Sequence, residues 1–564
     1  MVGKYLPIKM FGRTTSALNR LPNSLFVRFA SRRTIDEIKL PLFARALEPE
    51  SAKKIAFTDY KGDNFTYEEF GKKSAYLAKE LKSLVPGQEE RIAFLCDRDF
   101  SFPTTLGATW WAQHVAIPLS STHPENMLEY FVKSTSSKLI VTNKKYADRL
   151  NKVAKATGAE MLVVDYETLK SEDNPSPSLL DSKNYEDKNA LILFTSGTTG
   201  MPKGVLLTHS NLLAQVENIC DAWEVSNRDS MLHVLPLHHT HGLIHALISP
   251  VAVGARCHML EKFDAVKAWQ ELLSSKEMRP NVLMAVPTVY VKLIEEYEKS
   301  FAKSSTQVSF VRETLKQKMR LILSGSAALP VPVLEKFKVI SGHTCLERYG
   351  MTEIGMALTN PLHGERKPGF VGGPFETVQL MVADMRTRSD YTVIAVGDAK
   401  KMDVKVSKGE KVIGDLLVKG PSVFKEYWGN PDATKKEFTD DGWFITGDTV
   451  EYLDGSFKIL GRKSIDIIKS GGYKLSALEI ETQLLSLPEV KEVAVLGIPD
   501  PTWGQKVAAV VAWRGKELTA NELRDLAKTR LPAYACPTVL KSLPELPKNH
   551  LGKVNKKELA KIFS

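Results

Sequence analysis

One stretch limits the possible folds of this chain more than any other, residues 191–204, which read Leu-Ile-Leu-Phe-Thr-Ser-Gly-Thr-Thr-Gly-Met-Pro-Lys-Gly. The apolar start predicts the end of a buried strand, and three glycines interleaved with hydroxyls predict a tight loop after it. Successive backbone N–H groups in such a loop close around an anion, and the lysine adds a positive charge. We therefore expect a polyphosphate-binding loop rather than a flexible surface turn.

This loop differs from the phosphate loop of nucleoside triphosphatases. That pattern requires Gly-x4-Gly-Lys followed by Ser or Thr. Here Gly197 and Gly200 are three residues apart, and Lys203 is followed by Gly204 rather than by a hydroxyl. The loop therefore belongs to a different class of phosphate-binding protein.

Short apolar runs alternate with amphipathic stretches on both sides of the loop. Thr66-Tyr-Glu-Glu69 has the form of a capping box and predicts the start of a helix, and residues 211–223 also predict a helix. The predicted strands are residues 91–96, 114–119, 138–141, 161–164, 231–235, 281–286 and 320–323. Strands that alternate with helices indicate parallel α/β sheets covered on both faces.

Two segments depart from this alternation. Residues 385–412 are polar and irregular, and we expect an exposed excursion between strands there, without a functional site. Beyond Gly461-Arg462, Ser476-Ala-Leu-Glu479 predicts a helix start, residues 490–495 and 506–513 predict strands, and residues 520–530 predict a helix. The predicted organisation is a large N-terminal domain of layered α/β subdomains (34–460), a hinge (461–464) and a small α+β domain (465–564).

The first 33 residues have a composition unlike the rest. They carry seven of the basic residues and no acid, which accounts for most of the net charge of +10. A basic segment with hydroxyls, Leu and Phe resembles a mitochondrial transit peptide, with cleavage near residues 32–34. A nucleic-acid-binding arm or a disordered tail are the alternatives. Because the remainder is close to neutral, nothing indicates nucleic-acid binding.

The rest of the composition is ordinary for a globular protein. No apolar run is long enough to span a bilayer. The five cysteines are scattered without the spacing of disulfide pairs or metal ligands, so we expect reduced thiols, mostly in the core.

Several further motifs follow the phosphate loop in a fixed order. They are Ser-Gly-Ser-Ala-Ala-Leu (324–329), Arg-Tyr-Gly-Met-Thr-Glu (348–353), Thr-Gly-Asp (446–448), Gly461-Arg462 and Pro-Lys-Asn-His-Leu-Gly-Lys (547–553). Each motif alone is weak, since a single Tyr-Gly or Gly-Asp is usually a turn. Together they closely resemble the adenylate-forming acyl-CoA synthetase superfamily over about residues 50–560.

The resemblance implies a two-step ligase that uses ATP, Mg²⁺ and CoA. A carboxylate attacks the α-phosphate of ATP to give an acyl-adenylate and pyrophosphate, and the CoA thiol then displaces AMP. It also implies that the small C-terminal domain rotates between the steps about Lys463 or Ser464, and presents residues 471–474 to CoA. Non-catalytic nucleotide binding is the alternative, which predicts a defective site.

The resemblance also implies a role for each matching position. The β- and γ-phosphates would be held by Thr195, Ser196, Gly197, Thr198, Thr199, Gly200 and Lys203. Tyr349 would stack on adenine beside Gly325 and Ser326, Asp448 would accept the ribose hydroxyls, and Arg462 would support it. The implied catalytic residues are Thr352 at the α-phosphate, Glu353 as the Mg²⁺ ligand, and Lys553 between the substrate carboxylate and the α-phosphate.

Cationic and imidazole side chains near the expected acyl pocket indicate the substrate. A guanidinium in a pocket for a hydrocarbon chain is a buried unpaired charge, which costs several kcal/mol. Arg348, together with Leu237-His-His-Thr-His-Gly242, is better explained by a second carboxylate on the substrate. These segments resemble the malonyl-CoA synthetases, and with the leader the chain resembles the mitochondrial members. The resemblance implies that the import machinery delivers the chain to the mitochondrial matrix.

We therefore assign the distal carboxylate to Arg348, with polar contacts from His241 and His239, and we interpret His233, His245 and His258 as structural. The alternatives are an ion pair of Arg348 with Glu347 or a surface acid, and ordinary loop packing of the histidines. Methylmalonate, a short- or medium-chain monocarboxylic acid, and a carrier-protein thiol in place of CoA also remain open.

Overall fold

The computed structural model describes residues 38–195, 201–276, 278–405, 409–548 and 553–563. The predicted leader, residues 1–33, lies outside these ranges. So do five predicted phosphate-binding residues, Ser196, Gly197, Thr198, Thr199 and Gly200.

The strands are short, and most of them are apolar. In chain order they are β1 (Ile55–Thr58), β2 (Asn64–Thr66), β3 (Arg91–Leu95), β4 (Val115–Pro118), β5 (Leu139–Thr142), β6 (Glu160–Val163), β7 (Asn189–Thr195), β8 (Lys203–Thr208), β9 (Ser230–His233), β10 (Arg256–Met259), β11 (Val282–Ala285), β12 (Leu321–Ser324), β13 (Leu346–Met351), β14 (Gly355–Thr359), β15 (Gly373–Pro374), β16 (Gln379–Met385), β17 (Tyr391–Gly397), β18 (Met402–Val404), β19 (Val412–Lys419), β20 (Glu426–Tyr427), β21 (Phe444–Leu453), β22 (Ser456–Arg462), β23 (Ile467–Ser470), β24 (Tyr473–Ser476), β25 (Val490–Asp500), β26 (Gly504–Trp513) and β27 (Val539–Ser542).

The helices fill the connections between strands. They are α1 (Tyr67–Leu84), α2 (Ser101–Trp111), α3 (Glu125–Ser134), α4 (Ala147–Thr157), α5 (His209–Trp223), α6 (Ser249–Ala252), α7 (Ala265–Leu272), α8 (Pro287–Ser300), α9 (Ser305–Lys318), α10 (Val331–Ser341), α11 (Pro431–Lys436), α12 (Ala477–Leu485), α13 (Ala520–Lys528) and α14 (Lys556–Ala560), with a π-helix at His241–Ile248. Within the described ranges, no helix is both long and apolar enough to cross a bilayer.

Two large sheets have parallel centres, as the alternation predicts. The nine-stranded sheet has the order β15-β14-β13-β12-β11-β9-β10-β1-β2, and the seven-stranded sheet has the order β20-β8-β7-β4-β3-β5-β6. In the first sheet, every pairing between β13 and β1 in this order is parallel. In the second sheet, every pairing between β7 and β6 is parallel. The predicted strands in residues 91–164 and 231–323 are therefore confirmed.

A third sheet corrects one expectation. Residues 385–412, predicted to be an irregular excursion, contain β17 and β18. These strands form one edge of an entirely antiparallel sheet with the order β18-β17-β16-β19-β21-β22. Charged residues follow the ends of both strands, and this is typical of an exposed sheet edge. The sheet positions the site, because β21 and β22 carry Asp448 and Arg462.

The C-terminal residues form an α+β unit with its own apolar cluster. Strands β24, β23, β26 and β25 are neighbours in that order, and β27 pairs with β26. One buried cluster draws its members only from residues 468–536, including Ile468, Ile480 and Val495. The predicted helix start is confirmed, since the Ser476 hydroxyl accepts a hydrogen bond from the Glu479 amide.

Candidate active site

The predicted site residues lie where parallel strands end. β7 ends at Thr195, β12 ends just before Gly325 and Ser326, and β13 carries Arg348 and Tyr349. Ligands of open α/β sheets bind at the carboxyl ends of strands, because backbone N–H groups and loop side chains converge there. The described site residues form three contact groups.

The first group surrounds Arg348, which is only 4% exposed. Its guanidinium lies directly over Gly325, so that a Cβ at that glycine would collide with it. Among the described residues, Nε and Nη2 of Arg348 have no hydrogen-bond partner and the side chain makes no ion pair. Burial lowers the pKa of Arg348 to about 9. An uncompensated buried cation of this kind is strongly unfavourable unless an anion joins it.

Arg348 does not form the alternative ion pair with Glu347. The two residues are consecutive on β13, and consecutive side chains of a strand point to opposite faces. The Glu347 carboxylate instead accepts a hydrogen bond from the Gly369 amide at 2.9 Å. Burial raises the pKa of Glu347 to about 7. Arg348 therefore faces the pocket without its neighbour's charge.

Two histidines of the π-helix stand beside Arg348. His241 shares a hydrogen bond of 3.1 Å with the Ser326 hydroxyl, and the His241 and His245 rings lie 5.8 Å apart. Burial, with the Arg348 charge, holds the pKa of both imidazoles well below its usual range, so both are neutral at pH 7. Nothing in the described ranges bonds to either nitrogen of His245.

His245 was interpreted as structural, and its place beside Arg348 went unpredicted. The sequence does hold a signal for this position of His245, since His241 and His245 are four residues apart and lie on one helical face. His239 has different surroundings, with its ring 4.0 Å from the His238 ring. His233 and His258 have ordinary partners, the carbonyls of Gly242 and Met278.

The second group is built on the third sheet. Tyr349 donates a short hydrogen bond to Asp448 Oδ2, and Arg462 Nε lies 3.1 Å from Asp448 Oδ1. Asp448 and Arg462 are register partners on β21 and β22, so the sheet itself fixes the pair. Burial raises the pKa of Asp448, while the Arg462 charge lowers it. The arrangement offers an acceptor for hydroxyls next to an aromatic ring.

The third group contains Glu353 and Lys203. Glu353 follows Thr352 in the turn between β13 and β14 and is 6% exposed. The Tyr427 hydroxyl donates to Glu353 Oε1 at 2.9 Å, and the Tyr427 ring lies under the Lys203 ammonium. Burial raises the pKa of Glu353. Tyr427 was not predicted, since no motif marks it.

The third group fits one type of divalent cation. Within the described ranges, no cluster of three His, Cys, Asp or Glu side chains could hold a metal alone. Mg²⁺ usually binds through one or two carboxylates, with water and substrate phosphates completing its shell. A single buried carboxylate near the lysine predicted to bind phosphate matches that requirement.

Lys553 brings the C-terminal unit to these groups. Much of its side chain is exposed, but the surrounding protein partly desolvates the ammonium. This desolvation and the charges of Arg462 and Arg348 lower the pKa of Lys553 to about 8, against the opposing effect of Asp448. The Lys553 charge also acts on His241. Electrostatically, the three groups and Lys553 are one site.

The chain is similar to known proteins in both sequence and structure. The sequence pattern of the family described as "AMP-binding enzyme" matches residues 43–428, and that of "AMP-binding enzyme C-terminal domain" matches residues 479–553. The chain is 46% identical over 530 residues to "malonate–CoA ligase ACSF3, mitochondrial" of Mus musculus, covering 93% of this chain and 90% of that one. A malonate–CoA ligase of Arabidopsis thaliana is 37% identical, covering 84% and 78%.

Solved structures agree with these sequence relatives. The crystal structure of ATP-bound MatB from Rhodopseudomonas palustris is similar with a TM-score of 0.78 and 31% identity, covering 93% of this chain and 98% of that one. A benzoate–CoA ligase from Burkholderia xenovorans has a TM-score of 0.75 at 22% identity, covering 92% and 98%.

Proposed function

The chain belongs to the AMP-binding enzyme family, and on that premise we propose that it is an ATP-dependent ligase that converts malonate and CoA to malonyl-CoA, AMP and diphosphate. The observation that carries the choice of acid is the buried Arg348 guanidinium, whose Nε and Nη2 have no partner among the described residues. A dicarboxylate supplies the missing anion, whereas a monocarboxylic acid would leave the cation uncompensated.

In the first step, one malonate carboxylate attacks the α-phosphorus of ATP. A bond forms between the carboxylate oxygen and phosphorus, and the bond to the bridging oxygen breaks, so that diphosphate leaves. Lys203 holds the β- and γ-phosphates with the hydroxyls and amides of residues 195–200, and Thr352 contacts the α-phosphate. Lys553 bridges the attacking carboxylate and the α-phosphate, where its cation stabilises the developing negative charge.

The nucleoside is held by the second contact group. Tyr349 stacks on adenine beside Gly325 and Ser326. Asp448 exchanges its hydrogen bond from Tyr349 for the two ribose hydroxyls, and Arg462 keeps the carboxylate ionised. A bound Mg²⁺ would neutralise phosphate charge during in-line displacement, and Glu353 would be its protein ligand.

In the second step, the CoA thiol attacks the acyl carbon and AMP leaves. The small domain, residues 465–564, turns about the hinge at 461–464, withdraws Lys553 and presents residues 471–474, which are exposed in this structure. The Lys463 ammonium bonds Asp415 of the third sheet at 2.7 Å, so this contact is a candidate to break during the turn.

The distal carboxylate of malonate pairs with Arg348. His241 and His245 stay neutral, and can donate a hydrogen bond to that carboxylate without adding charge. We assign His239 as a further polar contact near that carboxylate. Methylmalonate differs from malonate by one methyl group and is expected to be the next best acid, since a methyl group changes binding only modestly.

A panel of acids tests this function. ATP–pyrophosphate exchange is expected with malonate at a kcat/KM roughly 100-fold above that with propionate or octanoate, because the site leaves its buried guanidinium unpaired with either monocarboxylic acid. A higher rate with propionate or octanoate would assign the chain to monocarboxylic acids. No exchange with any acid would favour non-catalytic nucleotide binding.

The location of the protein is proposed on the basis of its leader and of the name of its relatives. The basic, acid-free residues 1–33 act as a transit peptide read by the mitochondrial import machinery, and deliver the chain to the matrix. A fusion of residues 1–40 to a fluorescent protein is expected to enter mitochondria. A fusion that remains in the cytosol contradicts the assignment.

A further inference from the structure

Tyr427 contacts two predicted site residues that are 150 positions apart in the chain. It lies on β20, where it pairs with Val205 of β8, and is 3% exposed. Its hydroxyl donates to Glu353 Oε1 at 2.9 Å, and its ring centroid is 3.8 Å from Lys203 Nζ. One side chain therefore joins the carboxylate end and the lysine end of the phosphate site.

The hydroxyl of Tyr427 fixes the orientation of the Glu353 carboxylate. Glu353 is buried, and no ion pair to it occurs among the described residues. A hydroxyl that donates to one carboxylate oxygen fixes the side-chain torsions, so that the carboxylate keeps its direction without a neighbouring cation. Loss of this hydrogen bond would leave a buried carboxylate that can rotate.

The ring side of Tyr427 controls the lysine. An ammonium over an aromatic face is attracted by the negative electrostatic potential of the ring, and the attraction grows where water is excluded. On its other side, Lys203 Nζ lies 3.2 Å from Glu437 Oε1. The lysine is thus held by two contacts before any phosphate binds.

The backbone around Tyr427 is anchored to both partners. The Phe424 amide donates to the Glu353 carbonyl at 2.7 Å, and the Trp428 amide donates to the Gly204 carbonyl at 2.8 Å. The Ser422 hydroxyl donates to the Ile354 carbonyl at 2.9 Å. Because these hydrogen bonds hold the backbone on both sides of Tyr427, its side chain can keep Lys203 and Glu353 at a fixed separation.

We propose that Tyr427 is a positioning residue for adenylation: its hydroxyl orients Glu353 toward the divalent cation that accompanies ATP, and its ring places the Lys203 ammonium at the phosphates. The proposal rests on the proposed function of this site. It assigns two separable tasks to two parts of one side chain.

The test compares Tyr427→Phe, which removes only the hydroxyl, with Tyr427→Leu, which also removes the ring. Tyr185→Phe is the control, since it removes a tyrosine hydroxyl that donates to the Leu179 carbonyl at the same 2.9 Å outside the site. Three quantities are measured on the full chain: ATP affinity in EDTA, Mn²⁺ affinity of the enzyme–ATP complex by electron paramagnetic resonance, and the Mg²⁺ concentration for half-maximal ATP–pyrophosphate exchange.

Tyr427→Phe is expected to weaken Mn²⁺ binding and to raise the half-maximal Mg²⁺ concentration about tenfold, with metal-free ATP affinity unchanged. Tyr427→Leu is expected to weaken metal-free ATP binding about fivefold as well. In a Glu353→Gln background, the hydroxyl deletion should change Mn²⁺ binding less than twofold. Tyr185→Phe should match the wild type throughout.

If the Mn²⁺ affinity and the half-maximal Mg²⁺ concentration of Tyr427→Phe are within twofold of the wild-type values, the role of the hydroxyl is overturned. An equal loss in the Glu353→Gln background would also overturn it. Glu437→Gln tests the other contact of Lys203 separately and should leave metal-free ATP affinity intact. If it weakens metal-free ATP binding as much as Tyr427→Leu does, then Glu437 and not the Tyr427 ring positions the lysine. Absence of acid-dependent exchange in the wild type would instead refute the proposed function.

Discussion

Replacing Lys553 by methionine is expected to lower the rate of adenylate formation by roughly 10²- to 10³-fold, the loss typical of removing one preorganised charge from a transition state. The Lys553 ammonium shares an electrostatic environment with Arg348, at the acyl end, and with Asp448, at the ribose end. In the proposed mechanism, the reacting carboxylate and α-phosphate lie between those two ends. Methionine keeps most of the length of the side chain and removes the ammonium, with its charge and its hydrogen-bond donors.

The second half-reaction separates this role from a structural one. Malonyl-adenylate supplied together with CoA should be converted to malonyl-CoA within about threefold of the wild-type rate, because the proposed mechanism withdraws the lysine before thioester formation. Lys557→Met is the matched control, since Lys557 is an exposed lysine four residues further along the same segment. Equal losses in both half-reactions would show that Lys553 supports the fold of the C-terminal unit rather than adenylation.

Local signals in the sequence predicted much of the fold. Helix α1 begins where its capping box requires, with the Thr66 hydroxyl accepting from the Glu69 amide and the Glu69 carboxylate accepting from the Thr66 amide. Such reciprocal capping depends only on residues three apart, so it can be predicted without tertiary information. The apolar strands were predictable for a similar reason, since fully buried parallel strands are continuous apolar runs.

The third sheet was missed although part of its sequence predicts a strand. β17 reads Tyr-Thr-Val-Ile-Ala-Val-Gly, a β-branched apolar run typical of a strand, but it lies between two charged stretches. β18 is only three residues long and is half-buried or exposed. Their pairing is set by tertiary neighbours such as β16 and not by local composition. Only the short edge strand β18 gives the same signal as an irregular loop.

The candidate site was predictable only in part. Arg348 could be assigned to a substrate carboxylate because an unpaired guanidinium in an acyl pocket requires an anion. The alternative ion pair with Glu347 stayed open until the strand geometry of β13 placed the two side chains on opposite faces. The contacts of His245 with the Arg348 environment, and of Tyr427 with Glu353, join residues about 100 and 74 positions apart. Packing between separate elements creates these contacts, and one sequence carries no record of them.

Arg348→Met is expected to lower kcat/KM for malonate by roughly 10²- to 10³-fold, the range for losing one partner of a buried charge pair. The guanidinium is seated on Gly325 with two nitrogens unpartnered in the described part of the chain, and Lys553, the other cation of this environment, is assigned to the reacting carboxylate. His241 and His245 are neutral at pH 7 and cannot supply the charge. ATP affinity without acid should stay within about threefold of the wild type.

The acid panel turns this substitution into a test of specificity. Methionine offers a shorter, unbranched apolar side chain without the charge, so propionate turnover by Arg348→Met should equal or exceed that of the wild type while malonate turnover falls. Arg386→Met, which removes an exposed guanidinium paired with Asp390, is the control and should leave every rate unchanged. A parallel fall for both acids would mean that Arg348 supports the pocket's structure, and retained malonate turnover would place the distal carboxylate elsewhere.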